Sequence, residues 1–229
     1  MYKKKHIVVL SGAGVSAESG LKTFRDSDGL RNGYDVHEVA IPGGWQKNPQ
    51  LVLDFYNERR REVAAAKPNA AHTGLAALEK DFDVPIITQN IDDLHERGGS
   101  SQVVHLHGEI FKMRSVADVQ TMYEIMGDIK IGDKAVDGTQ LRPYIVWFEE
   151  EVPMMEKAVK IVQDADYFVV VGTSLQVYPA ASLLQYAAPF LPKFIIDKKN
   201  SAVNNYSNLT LLEMPATEGV KALSKYLIP

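Results

Sequence analysis

Thr88-Gln89-Asn90-Ile91-Asp92-Asp93-Leu94-His95, followed by Val104-His105-Leu106-His107-Gly108, decides how this chain folds. Each polar cluster closes a short apolar run, residues 84–87 and 102–104. In a parallel α/β sheet, side chains from separate strands converge on a ligand just beyond the carboxyl ends of the strands. Upstream, residues 6–10 read as a buried strand feeding the turn Gly12-Ala13-Gly14-Val15-Ser16-Ala17. Gly12, Gly14 and Ala17 meet the relaxed dinucleotide pattern, in which glycines let backbone amides approach a pyrophosphate. Alone, the same letters also describe an ordinary strand–turn–helix junction.

Asn48-Pro49 starts a helix, with a capping side chain before proline at the first helical position. That helix runs to about residue 66, and Asn69 caps another ending near residue 80. A short helix is expected over residues 92–97. Strands are expected at 84–88, at 144–148, 167–171 and 194–196, and leading into His105. Helices near 154–163, 179–188 and 218–227 separate or follow them. Residues 112–141, polar and carrying Gly127, Gly132 and Gly138, read as an inserted loop-rich segment. Strands alternating with helices give an α/β fold: a parallel sheet with helices on both faces.

A chain of 229 residues, 45% apolar, holds one large core or a core with a small inserted lobe. The net charge of −4 does not suit a nucleic-acid binder. No run reaches the ~18 apolar residues of a membrane span, and the start lacks a secretory signal. The expectation is a soluble, cytoplasmic protein that meets neither nucleic acid nor membrane. Zero cysteine excludes disulfides and thiolate metal sites.

His107 follows a strand and precedes Gly108, a good place for a general base, because imidazole titrates near neutral pH. A lone histidine is otherwise more often a satisfied core group. Gln89, Asn90 and Asp92 are either ligand contacts or helix caps. Gly172-Thr173-Ser174 after the strand at 167–171 supplies a second phosphate-binding turn. Asp197 ends the strand at 194–196 and is either an acceptor for ribose hydroxyls or a turn residue. Tyr56 and Arg59, three apart, share one helix face and can grip one carboxylate together. Arg60 and Arg61 read as solvated charge, and the blander reading of Tyr56 and Arg59 is a helix flank.

Together these motifs closely resemble the sirtuins, NAD-dependent protein-lysine deacylases, over nearly the whole chain. The resemblance implies a Rossmann-like NAD-binding domain (1–33, 68–111, 142–229) and a small discontinuous lobe (34–67, 112–141). It implies that Gly12, Ala13, Gly14, Ser16, Gly172, Thr173, Ser174 and Asp197 contact NAD, the co-substrate. Gln89, Asn90 and Asp92 hold the nicotinamide end, and Phe24 and Arg25 belong to a cofactor-binding loop. Lys22 and Arg31 in that region replace the usual proline and tryptophan. His107 acts as general base, while His95 and His105 are structural. Nicotinamide and O-acyl-ADP-ribose are the expected products, with acyl-lysine protein or peptide as partner. The segment Arg142 to Glu150 pairs with the peptide, so Val146, Trp147 and Phe148 line the lysine channel, and Glu149 stands in place of a glycine. Tyr56 and Arg59 match the subgroup that removes succinyl and malonyl groups as well as acetyl. Protein ADP-ribosylation, and a non-catalytic NAD or ADP-ribose binding module, are the competing readings.

Sirtuins carry four zinc-binding cysteines, and the first pair falls near Ser115 and Asp118 of this chain. Neither can be a thiolate, and residues 109–141 contain no histidine. No zinc is expected, and the lobe is expected to be held by packing through Met122, Tyr123, Ile125, Met126, Ile129 and Ile131.

Overall fold

The computed structural model describes residues 3–22, 30–31 (backbone only), 34–198 and 206–228. Its strands are β1 (Ile7–Ser11), β2 (Leu30–Arg31), β3 (Tyr34–Asp35), β4 (Ile86–Thr88), β5 (Val103–His105), β6 (Gly108–Ser115), β7 (Met122–Glu124), β8 (Leu141–Ile145), β9 (Tyr167–Val171), β10 (Lys193–Asp197) and β11 (Leu209–Glu213). The helices are α1 (Ala13–Ala17), α2 (Val36–Val39), α3 (Pro42–Lys47), α4 (Pro49–Ala65), α5 (Ala70–Ala77), α6 (Leu94–Arg97), α7 (Met155–Gln163), α8 (Leu183–Tyr186) and α9 (Ala216–Leu223).

Six parallel strands form the main sheet in the order β11-β10-β9-β1-β4-β5. Strand order reverses between β1 and β9, which makes their carboxyl ends the natural crevice for a ligand. Both central strands are buried along their whole length, as a sheet covered on both faces requires. Alternation along β1 decides which face each residue meets. Ile7 and Val9 pack with Leu75, Val220 and Leu223 from α5 and α9. Val8 and Leu10 pack with Ala158, Val162 and Leu183 from α7 and α8. The expected Rossmann-like sheet is therefore present.

Helix starts follow the sequence. Asn48 Oδ1 accepts the Leu51 amide at 3.1 Å at the start of α4. Asn69 forms a capping box with His72 at the start of α5.

Several expectations need correction. Residues 112–141 are not simply loop-rich, because β6, β7 and β8 form a three-stranded antiparallel sheet. The strand expected at 144–148 is Leu141–Ile145, so Trp147 and Phe148 lie beyond it. The strand β11 was not anticipated, and the helix expected over 179–188 opens as a 3-10 turn, Ala180–Ser182.

Arg60 is buried rather than solvated, at 1% exposure. It donates to the carbonyls of Ile110 (2.8 Å) and Gly127 (3.1 Å) and to Asn57 Oδ1 (2.8 Å), tying α4 to the small sheet. Burial lowers its guanidinium to about 10. Arg61 is exposed and pairs with Asp128 at 2.6 Å.

Within the lobe, Ile129, Leu53 and Leu141 make a core with Tyr123 and Ile125 against it. Met122, Met126 and Ile131 are exposed and contribute little. A polar hub supplements this packing. Ser115, 1% exposed, donates to Asp137 Oδ2 at 2.5 Å. The same hydroxyl accepts from the Ala117 and Asp118 amides at 2.9 and 3.0 Å. The turn where the sirtuin resemblance puts a cysteine pair is thus closed by hydrogen bonds. Among the described residues, no helix is long and apolar enough to cross a membrane.

Candidate functional site

A cavity of about 490 Å³ opens at the carboxyl ends of β1, β4 and β9, continues under the end of β10, and reaches α4. Gly12, Ala13, Gly14, Ser16, Gly172, Thr173, Ser174 and Asp197 line one part of it. Gln89, Asn90, Asp92 and His107 line another, and Tyr56, Arg59, Val146, Trp147 and Phe148 a third. Phe24 and Arg25 lie outside the described residues.

The glycines are required by close approach. The Gly14 amide donates to Gly172 O at 2.8 Å, and the Gly12 amide to Val171 O at 3.1 Å. A Cβ on Gly14 would come within 2.7 Å of Gly172 O, and one on Gly12 within 2.6 Å of Thr173 Cβ. Two turns from two strands therefore interlock with bare backbone facing the cavity.

Thr88, buried at the end of β4, sets the next layer. Its hydroxyl accepts from the Asn90 amide at 3.0 Å and from Ser11 Oγ at 2.9 Å. Asn90 Nδ2 donates to Ser16 Oγ at 3.1 Å, and Ser16 Oγ donates to Asp92 Oδ1 at 3.3 Å. Asp92 is 3% exposed, and burial raises its carboxyl above the ordinary range, against hydrogen bonds from the Leu94 amide and Ser16. Gln89 Nε2 reaches Thr173 Oγ1 at 3.1 Å, joining the β4 and β9 turns.

His107 Nδ1 lies 3.0 Å from the Gln89 carbonyl. A carbonyl only accepts, so Nδ1 carries the proton and Nε2 is left with its lone pair. Burial lowers this imidazole below its ordinary value, with the Gln89 hydrogen bond opposing. His105 does a different job and does not line the cavity. Burial depresses it, but its 2.7 Å contact with Glu96 more than compensates and raises it overall.

Behind the cavity wall, His72 and His95 are fully buried with ring centroids 4.9 Å apart. His95 Nε2 lies 2.8 Å from Ser11 Oγ. Burial pushes His72 down to about 4 and His95 to about 3, from an ordinary 6.5. Below 6.5 the unfolded chain takes up protons that the folded chain refuses until those lower values. Stability is thus present above pH 6.5 and falls on acidification, by roughly 1.4 kcal/mol per pH unit for each imidazole. Urea unfolding at pH 7 and pH 5 should show a clearly lower midpoint at pH 5. Identical midpoints would show that these rings are not held neutral.

On α4, Tyr56 and Arg59 are 3% and 6% exposed, and both face the cavity. Arg59 Nη1 donates to Glu62 Oε2 at 2.9 Å, which fixes the guanidinium. Its Nε is buried without a hydrogen-bond partner among the described residues. The cavity wall around Trp147 was only partly visible in the sequence. Arg142 donates from both Nη atoms to Glu150 at 2.8 and 3.1 Å and stacks 3.2 Å from the Trp147 ring centroid. Glu150 also accepts the Trp147 amide at 2.8 Å. Nothing local announces this pair, eight residues apart, or the support Thr88 gives to Asn90.

A family model described as the Sir2 family matches residues 12–179. A protein named NAD-dependent protein deacylase from Helicobacter pylori is 51% identical over 224 residues, covering 98% of each chain. One of the same name from Bacteroides thetaiotaomicron is 51% identical over 231 residues, covering 98% of this chain and 99% of its own. Among solved structures, a Sir2 homolog–NAD complex superposes with a TM-score of 0.84 at 37% identity, covering 97% of this chain and 89% of that one. A Sir2 bound to acetylated peptide gives 0.80 at 28% identity, covering 97% and 93%. Sequence agreement along almost the full length, with a fold that superposes on Sir2 structures, has one meaning: the chain belongs to the Sir2 family.

Proposed function

We propose that this chain is an NAD-dependent protein-lysine deacylase that accepts acidic acyl groups, succinyl and malonyl, as well as acetyl. The observation that carries the reading is one cavity joining the interlocked glycine turns to His107 and to Arg59. The residues present fit the dinucleotide. Gly12, Gly14 and Gly172, which let the two turns interlock, line the cavity with the N-terminus of α1, and Thr173, Ser174 and Asp197 offer hydroxyl and carboxylate partners. Bound NAD supplies an electrophilic ribose carbon and nicotinamide as leaving group.

The chain's own residues do the rest. Asn90 and Asp92, fixed through Ser16 and Thr88, orient the nicotinamide end and shield it from water. His107 Nε2 receives a proton from a ribose hydroxyl, because Nδ1 is committed to Gln89. Val146, Trp147 and Phe148 guide the acyl-lysine toward that point, so much of the rate comes from alignment.

Arg59 and Tyr56 give the acyl preference. A guanidinium and a phenol lining the inner part of one cavity suit a carboxylate at the end of the acyl chain. Hydrogen bonds to charged groups contribute roughly 1.5–3 kcal/mol each. Arg59→Met is therefore expected to cut kcat/KM on succinyl- or malonyl-lysine by at least about tenfold. Acetyl-lysine, which has no carboxylate, should be spared. Equal losses on both substrates would return the reading to plain deacetylation.

The deciding experiment is mass spectrometry of NAD reactions with acetyl-, succinyl- and malonyl-lysine peptides. Free lysine, nicotinamide and O-acyl-ADP-ribose are the expected products. A peptide or protein gaining the mass of ADP-ribose instead would favour transferase activity, and no product at all would favour a binding module.

A further inference from the structure

We propose that Glu149 reads the residues flanking the acyl-lysine and selects protein sites with a neighbouring arginine or lysine. This inference rests on the deacylase reading and adds to it a sequence preference.

Glu149 is exposed and lines the same cavity as Phe148 and Tyr178, which are 46% and 68% exposed. Its backbone sits at φ 71, a left-handed conformation that glycine adopts freely and L residues seldom do. The sirtuin resemblance puts a glycine here, so this chain keeps the glycine's backbone shape while adding a charged side chain. A strained position holding a functional side chain at a cavity rim points to a role for that side chain.

Its neighbours hold it in place. The Phe148 amide donates to Ala40 O at 2.9 Å on one side. On the other, Glu150 is clamped by Arg142 and lies 3.7 Å from Arg114. The Glu150 charge is therefore neutralised inside the protein. Glu149 has no hydrogen bond or ion pair among the described residues, and its exposed neighbour Glu151 adds a second negative charge.

An acyl-lysine passing Trp147 and Phe148 leaves its flanking residues against this rim. A carboxylate held there attracts a cationic flank and repels an acidic one. Arginine fits best, because its planar fork meets a carboxylate with two parallel hydrogen bonds. The pair is solvent-exposed, so its effect is modest and salt-sensitive.

The test uses the full chain with NAD and acyl-lysine peptides that differ only in flanking Arg, Lys, Gln or Glu. Two readouts are taken, kcat/KM from nicotinamide release and peptide Kd from fluorescence anisotropy. Wild type should prefer Arg- over Glu-flanked peptide by about fivefold at low salt, in line with exposed ion pairs. The ratio should fall below about twofold in Glu149→Gln, in Glu149→Gly and at high salt. Glu149→Gly relieves the left-handed strain, so a folding defect does not obscure the result. An Arg:Glu ratio unchanged in both variants, or near one in wild type, overturns the proposal. If no peptide is turned over, the deacylase reading fails, and the anisotropy ratio still decides the role of Glu149.

Discussion

Replacing His107 with alanine is expected to lower NAD-coupled deacylation by ~10²–10⁴-fold, the usual cost of losing a general base. The geometry makes the loss specific to chemistry. The ring lines the cavity, and among the described residues its one hydrogen bond is to the Gln89 carbonyl. Alanine leaves that carbonyl facing the cavity, where water can replace the imidazole. The melting temperature should therefore move little. The pH profile carries a second signature. Burial lowers the His107 imidazole, so the base form persists below the ordinary 6.5, and the acid limb of kcat/KM should lie below that value. A His107→Ala enzyme with near wild-type turnover would remove this residue from the mechanism.

Gly172→Ala is expected to damage both the fold and NAD binding. The residue sits at φ 64, and an added Cβ would lie 2.3 Å from the Val15 amide nitrogen and 2.6 Å from Gly14 C. These neighbours are backbone and have no side-chain freedom with which to retreat. Left-handed strain and overpacking together cost roughly 2–5 kcal/mol. For a chain of this length that is a fall of about 5–15 °C in melting temperature. The same shift pries apart the turns after β1 and β9, so NAD should also cease to raise the melting temperature. A Gly172→Ala protein that melts and binds NAD like wild type would mean that the two turns are not interlocked as described.

What could be read from the sequence, and what could not, follows the range of the interactions. Central strands such as Ile7–Ser11 and Tyr167–Val171 are legible because a strand buried on both faces needs an almost unbroken apolar run. The edge strand Leu209–Glu213 is half-exposed and mixes Thr and Glu with Leu, so it gives no such signal. In β6, Ile110 and Arg114 are buried while Glu109 and Lys112 are half-buried, and the charged letters masked a real strand. Arg60 was misread for the same reason. Its place in the run Arg59-Arg60-Arg61 suggests solvent, while its acceptors, Ile110 O and Gly127 O, arrive from 50 and 67 residues away.

Gly12, Gln89, Asn90, Asp92, His107 and Thr173 were legible as a set because each follows an apolar strand at the same edge of one sheet, whereas Tyr56 and Arg59 stand on α4. Their supports, Thr88 beneath Asn90, Glu62 against Arg59 and the Arg142–Glu150 clamp, depend on the fold's geometry rather than on any local pattern.

The hydrogen-bonded turn around Ser115 has a chemical consequence. Where sulfur would otherwise bind a metal, this chain places a hydroxyl, two backbone amides and the Asp137 carboxylate. Peroxide and electrophiles attack thiolates, and a zinc knuckle whose sulfurs are oxidised loses its ion. With no cysteine in its 229 residues, this chain has no site for sulfenic acid, mixed disulfide or nitrosothiol formation. Oxidants that act on sulfur are left with methionine, and in this lobe the exposed Met122 and Met126 are where they would act.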